Sequence, residues 1–214
     1  MALSMSHSEF YALGAFISVS LAALGVPFSL LLILVPALML PVGYIVERVL
    51  IQRVLHSPDR HVTTLLLTLA FGLFLEDVIR LIWGPNPLRL DTPILGAIEL
   101  AGLFLPLYRV FMIGIGALII IGTELVVYRT RIGATVRAAA FDRNMAASLG
   151  VPVQLVYAGA FAFGVSLAGL AGVLLAPIYS AFPTMGRDFI LMAFTVVIVG
   201  GMGSIAGAVV PASS

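Results

Sequence analysis

The chain has no cysteine, no lysine and few charged residues of any kind. Without cysteine, neither a disulfide nor a thiolate metal site can form. All 11 Lys+Arg residues are arginine, so a P-loop is excluded, because its lysine must reach the terminal phosphates of a nucleotide. The formal net charge of +1 leaves no basic footprint for nucleic acid. The three histidines lack the spacing of a helical metal site, and we expect no metal, cofactor or Ser/His/Asp arrangement.

Most residues of the chain are apolar. The chain is 61% hydrophobic and 10% charged, whereas soluble domains carry roughly 25% charged residues. Such a chain must be solvated by lipid, where backbone groups pair within helices or closed barrels. The apolar runs have the length of a spanning helix, about 20 residues. They predict an all-α, polytopic transmembrane bundle forming a single domain over residues 1–214, with about six segments near residues 10–24, 28–46, 62–83, 105–128, 153–176 and 189–210.

Arginine placement predicts how the segments are oriented. Cytoplasmic loops retain arginine, and two alternate loops are rich in it. They hold Arg48, Arg53 and Arg60, and then Arg129, Arg131, Arg137 and Arg143. The two other loops hold Arg80, Arg89 and Arg187. We therefore expect the two rich loops to be cytoplasmic, and the loops 84–106 and 177–188 to be external. Prolines prevent the loop 84–106 from being helical throughout.

Small residues recur at a spacing of four along the fifth segment, at Ala160, Gly164, Ala168, Gly172 and Ala176. Such a stripe lets another helix backbone approach closely in a membrane. Ordinary packing within the chain is the favoured interpretation, and a pore-lining or subunit-contact face is the alternative. In the sixth segment Gly200, Gly201, Gly203 and Gly207 are crowded together. They indicate either a broken element beside a translocation path or a tight packing site.

Three acidic residues lie within apolar segments, which makes them functional candidates. They are Glu76, Asp77 and Glu124. Glu76 and Arg80 are four residues apart and can pair on one helix face. Glu124 lies about one turn from Arg129 and can reach the membrane interface. Local pairing is therefore favoured over proton or ion coupling.

The stretch from Arg129 to Val151 is too polar to span a bilayer and too long for a tight turn. It predicts a short cytoplasmic helix over Ala138–Gly150. Small residues and charges on such a helix suit docking into a groove of another protein. A helix lying on lipid headgroups is the equal alternative.

This stretch resembles the cytoplasmic coupling loop of permeases of branched-chain amino acid ABC transporters. The matching residues are Arg131, Gly133, Arg137, Ala138, Ala140, Asp142, Ala146, Gly150 and Val151. The stretches 6–16, 66–87 and 200–208 also resemble that family, in the same order along the chain. Departures include Ser4 and Ser8 in place of Asn and Gly, and Glu76-Asp77 in place of Gln-Asn.

The resemblance implies a multi-pass permease subunit of a bacterial inner membrane, without a catalytic site of its own. It would pair with a sister permease, two cytoplasmic ATPases would dock on the Gly133–Gly150 loop, and a periplasmic binding protein would deliver a branched-chain or related small amino acid. Family members begin earlier and continue further, so we expect this chain to be part of a longer permease domain. The alternatives are an ion-coupled secondary transporter and a nonfunctional truncated remnant.

Overall fold

The computed structural model describes residues 6–51, 60–94, 96–100, 103–190 and 195. Helices dominate it: α1 (Ser6–Ala23), α2 (Phe28–Val46) with a π-helical turn (Glu47–Ile51), α3 (Arg60–Trp83), α4 (Leu107–Arg129), α5 (Arg131–Phe141), α6 (Arg143–Ser148) and α7 (Val153–Tyr179). Residues 185–190 are again helical. Two short strands, β1 (Ala97–Leu100) and β2 (Leu103–Pro106), pair antiparallel within the proline-rich loop.

Three helices form the centre of the structure, with α7 packed against both α1 and α2. Gly43 of α2 lies against Ala162, near the beginning of α7, and Met39 lies against Gly169 further along it. The two helices therefore run antiparallel. The Ser166 hydroxyl donates to the Pro36 carbonyl at 3.0 Å, which fixes α7 beside the proline-containing part of α2. Buried apolar residues of all three helices form the core between them.

Helix α3 runs parallel to α1 and packs on its other side. The Phe10 and Phe71 rings lie 5.9 Å apart, and the Trp83 indole N–H donates to the Ser20 hydroxyl at 2.6 Å. Because residue 10 lies beside residue 71 and residue 20 beside residue 83, the two helices run in the same direction. Gly72, near the middle of α3, is consequently level with Glu9.

The helices agree with the apolar segments that the sequence predicts. In the described part of the chain, three helices are long and apolar enough to cross a membrane, over Phe28–Val49, Leu107–Arg129 and Val153–Tyr179. The first segment forms a shorter apolar helix, and the third forms α3, whose 24 residues include several charges. The sixth segment begins at the helical residues 185–190, and nearly all of the rest lies outside the described residues.

The two loops with fewer arginines meet at one end of the bundle. Leu88 and Ala181 exchange two backbone hydrogen bonds, of 2.8 and 2.7 Å. Arg48 and Arg143, from the two arginine-rich loops, line a common cleft at the opposite end. The fold thus groups the four loops into the same two pairs that the arginine count predicts.

Helix α4 is attached mainly near its ends. The Tyr108 hydroxyl donates to the Leu174 carbonyl at 2.6 Å, and α5 packs against α4 at the other end. Between these points its apolar side chains remain largely exposed, including Ile113, Leu118 and Ile121.

Candidate functional site

Helices α1 and α7 approach each other closely, and this approach depends on glycine. A Cβ added to Gly14 would lie 2.5 Å from the Gly169 Cα. One added to Gly172 would lie 2.7 Å from the Ala15 nitrogen. Backbone atoms cannot yield as the end of a flexible side chain can. Small residues let helix backbones approach in this way within lipid.

The structure places the predicted stripe only partly in this contact. Gly172 and Ala176 are buried, whereas Ala160, Gly164 and Ala168 are half-buried. The reason is geometric: an α-helix has 3.6 residues per turn, so a strict spacing of four drifts around its surface. The buried face instead runs through Ala158, Ala162, Val165, Gly169, Gly172, Val173 and Ala176. Sequence reasoning missed Gly14, Gly43 and Gly169. The three-residue spacing between Gly169 and Gly172 is the signal that would have identified Gly169.

The other predicted glycine cluster lies beyond the described residues. Gly200, Gly201, Gly203 and Gly207 all belong to it. Whether they break the sixth segment or serve packing stays a prediction.

Two buried glutamates and two half-exposed arginines form a cluster of charged residues between α1 and α3. The Glu76 carboxylate, whose side chain is 3% exposed, forms ion pairs with Arg80 at 2.5 Å and with Arg187 at 2.7 Å. The first is the pairing that the sequence predicts. Glu9 of α1 is also buried, and its Oε2 has no hydrogen-bond partner within the described part of the chain.

The chain returns into the bundle to bring Arg187 to this cluster. Ala181 still pairs with Leu88 at the bundle end, yet a Cβ on Gly186 would lie 2.7 Å from the Glu9 carboxylate. Since Glu9 is level with the middle of α3, residues 182–187 lead inward between α1 and α3. Sequence reasoning treated this stretch as an external loop and missed both Arg187 and Glu9 as partners in the cluster.

The predicted coupling helix is two helices with a break at Asp142, so the expectation of one continuous Ala138–Gly150 helix is wrong. The Asp142 carboxylate accepts hydrogen bonds from the Asn144 and Met145 backbone N–H groups at 2.9 and 3.0 Å. Aspartate at such an N-cap satisfies donors that a helix leaves unpaired. Asp142 therefore starts α6, and this capping competes with continuation of α5.

The end of α6 fixes how the chain enters α7. Gly150 has a φ of +80° and donates to Ala147, while Val151 donates to Ala146. This is the pair of bonds that closes a helix through a left-handed glycine, as the sequence predicts for Gly150. Ala139 and Ala146 pack with Val153 in a small core. The Tyr157 hydroxyl donates to the Ala139 carbonyl at 2.8 Å, so α5 and α6 are held on the start of α7.

Several predicted coupling residues join α5 to α4. Arg137 donates to the Val127 carbonyl, and its guanidinium lies 5.2 Å from the Tyr128 ring centroid. Gly133 is buried against the Val126 and Val127 carbonyls, where a Cβ would clash with both. The turn between α4 and α5 is thereby fixed.

The exposed surface of α5 and α6 mixes large apolar side chains with polar ones. Phe141 is 95% exposed at the break between the helices, and Ile132, Met145 and Leu149 are exposed elsewhere along them. The exposed polar residues are Arg131, Arg137, Asp142, Asn144 and Ser148. Ala138 and Ala140 are exposed on the same pair of helices. The small and charged residues of this stretch are apparent from the sequence, whereas the exposure of Phe141 is not.

The three acidic residues of the apolar segments lie in different surroundings. Glu76 is paired with two arginines, and Asp77 and Glu124 lie on exposed helix surfaces. Among the residues that the structure describes, no group of three His, Cys, Asp or Glu side chains is placed to hold a metal ion.

Comparison with known proteins identifies the family of this chain. The family described as the branched-chain amino acid transport system permease component matches residues 2–213. The chain belongs to this family. It is therefore a multi-pass membrane permease component, and the family is not enzymatic.

Individual permeases match over nearly the whole chain. The high-affinity branched-chain amino acid transport system permease protein BraD of Pseudomonas aeruginosa is 28% identical over 221 residues, which is 96% of this chain and 71% of the relative. The corresponding LivH proteins of Salmonella typhimurium and Escherichia coli K12 are 27% and 26% identical over 223 residues, which is 97% of this chain and 72% of each relative. No solved structure matches the permease.

Proposed function

We propose that this permease is the membrane-spanning subunit of an ATP-driven importer for branched-chain or related small amino acids. It spans the bacterial inner membrane with about six helices, and α5 and α6 form its cytoplasmic coupling element. Its partners are a sister permease, cytoplasmic ATPases and a periplasmic binding protein. The observation that carries the proposal is the almost fully exposed Phe141 side chain, at the break between two helices that are held on the start of α7.

The contacts of α5 and α6 with the rest of the bundle would transmit a movement of the ATPases to it. Tyr157 and the small core at Val153 link α5 and α6 to the start of α7. Helix α7 in turn contacts α1 and α2 through backbone-level contacts at glycine. Movement of the ATPases would therefore reach the centre of the bundle through rigid helices, since packed elements shift as units.

A sister permease is supported by helix α4. It is 23 residues long and apolar, and its middle has no large buried surface within the described part of the chain. Such a helix leaves room for contact with a second membrane subunit. Lipid is its other possible environment.

The rival function is ion-coupled secondary transport through Glu76, Asp77 or Glu124. The double ion pair of Glu76 and the exposed positions of the other two acids favour the ATP-driven mechanism. A reconstituted uptake experiment tests the choice. The full chain, with its sister permease and ATPases, is placed in proteoliposomes with the binding protein and labelled leucine outside and ATP inside.

The proposal predicts uptake that requires enclosed ATP and persists when proton and sodium gradients are collapsed. Uptake driven by a gradient without ATP would contradict it and support the rival. Absence of uptake under both conditions, with all subunits assembled, would support the nonfunctional alternative.

A further inference from the structure

A cleft of about 330 Å³ lies between α1, the end of α7 and the returning segment 182–190. It is lined by Tyr11, Leu175, Tyr179, Phe182, Met185, Asp188 and Phe189. Apart from the two tyrosine hydroxyls, Asp188 supplies the only polar side chain of this lining. We propose that this cleft binds the transported amino acid, with its aliphatic side chain against the aromatic wall, its ammonium group at the Asp188 carboxylate and its own carboxylate at the Tyr11 and Tyr179 hydroxyls. This inference rests on the proposed function.

The wall of the cleft is mostly apolar. The Tyr11 and Phe189 rings are stacked with centroids 4.4 Å apart, and Met185 is buried beside them. Pockets for small ligands combine such apolar walls with a few placed polar groups. An aliphatic side chain of a neutral amino acid fits this lining, while an added charge on that side chain would be buried without a partner at considerable cost.

Asp188 is available to a cationic group. Its neighbour Arg187 is engaged by Glu76 at 2.7 Å, and no ion pair joins Asp188 to any described residue. A carboxylate beside an apolar wall complements the ammonium group of an amino acid, and a charge-assisted hydrogen bond between them is stronger than a neutral one.

The location suits uptake. Four of the lining residues lie between positions 182 and 189, shortly after Ala181, which pairs with Leu88 at the end of the bundle that the arginine count places outside. The same returning segment carries Arg187 to the buried Glu76. A ligand in the cleft therefore contacts the segment on which the sixth span begins, so its binding and the position of that span are linked.

The test compares Asp188→Asn with Asp91→Asn in the reconstituted importer. Asp91 is an exposed acid at the same end of the bundle that lines a different cleft. We expect Asp188→Asn to reduce the rate of leucine uptake at subsaturating substrate by at least about ten-fold, the loss of one charge-assisted hydrogen bond. Asp188→Glu should retain more uptake than Asp188→Asn, and Asp91→Asn should transport like the unaltered protein.

A second variant tests the wall. Phe182→Ala enlarges the cleft, so we expect the preference for phenylalanine over valine, measured by competition with labelled leucine, to rise several-fold. ATPase co-purification and basal ATP hydrolysis serve as readouts of assembly. Normal uptake in Asp188→Asn together with an unchanged preference in Phe182→Ala would overturn the cleft assignment. If the unaltered complex transports without ATP, the proposed function fails instead.

Discussion

Gly172 and Gly159 lie on the same helix in opposite surroundings. A Cβ on Gly172 would overlap the backbone of α1, whereas one on Gly159 would meet nothing within 4 Å. Alanine normally favours a helix over glycine by about 1 kcal/mol. Alanine substitutions at the two glycines therefore separate the effect of helix propensity on stability from the effect of the contact between helices.

We predict stability changes of opposite sign for alanine at these two positions. Gly172→Ala should lower the free energy of unfolding by about 1–3 kcal/mol, because overpacking forces the helices apart. Gly159→Ala should be neutral or stabilising. Thermal unfolding of both variants in one detergent measures the difference. Equal effects at the two positions would show that the α1–α7 approach is not close.

The sequence singled out Gly172 and Glu76 for physical reasons. Small residues and intramembrane acids stand out in any apolar chain. Their partners did not stand out, because Gly14 and Arg187 are remote along the chain. Only the tertiary fold brings Gly14 to Gly169 and Arg187 to Glu76.

The ion pair between Arg187 and Glu76 anchors the segment 182–190, where the sixth span begins. Arg187 carries this segment to Glu76, which is almost fully buried and also pairs with Arg80. Without Arg187, the buried Glu76 carboxylate would keep only its half-exposed partner Arg80. Removing the Glu76 charge as well would leave no under-compensated buried charge and should be milder.

We predict that Arg187→Gln loosens the segment 182–190, with hydrogen exchange of its backbone amides accelerated by about ten-fold or more, since a lost partner of a buried charge costs about 1–3 kcal/mol. Glu76→Gln in the same chain should recover part of the protection. Arg89→Gln, an exposed arginine at the same end, is the control. Unchanged exchange in Arg187→Gln would mean that the ion pair does not anchor the segment.

The coupling element shows where local sequence reasoning stops. Its position between two spans and the glycine at its end could be predicted from charge and from backbone preference. The break at Asp142 could not, because aspartate is compatible with a helix interior and becomes a cap only when its carboxylate turns to the following N–H groups. The prominence of Phe141 follows directly from that break.

At the scale of the whole molecule, the fold pairs the loops as the arginine bias predicts, and the choice of cytoplasmic side remains a prediction. The chain has no cysteine, so a single introduced thiol is its only reactive one. Asn86→Cys and Ser148→Cys place exposed thiols at opposite ends.

We predict that an impermeant thiol reagent labels Asn86→Cys in intact cells and labels Ser148→Cys only after the membrane is opened. The comparison of each variant before and after permeabilisation is its own control. The reverse pattern would invert the topology and put α5 and α6 on the side without ATP.

If α5 and α6 receive the ATPases, a crosslinker at position 141 should reach an ATPase subunit. A photoreactive amino acid replaces Phe141 in the assembled importer, and a matched chain carries it at Phe104, which is 73% exposed in the hairpin at the external end. We predict a covalent adduct with an ATPase subunit from position 141 and none from position 104. Phe141→Ala should also weaken ATPase co-purification by about 30-fold, as expected for an aromatic anchor at an interface. Adducts of position 141 with lipid alone, together with normal co-purification of Phe141→Ala, would contradict the account.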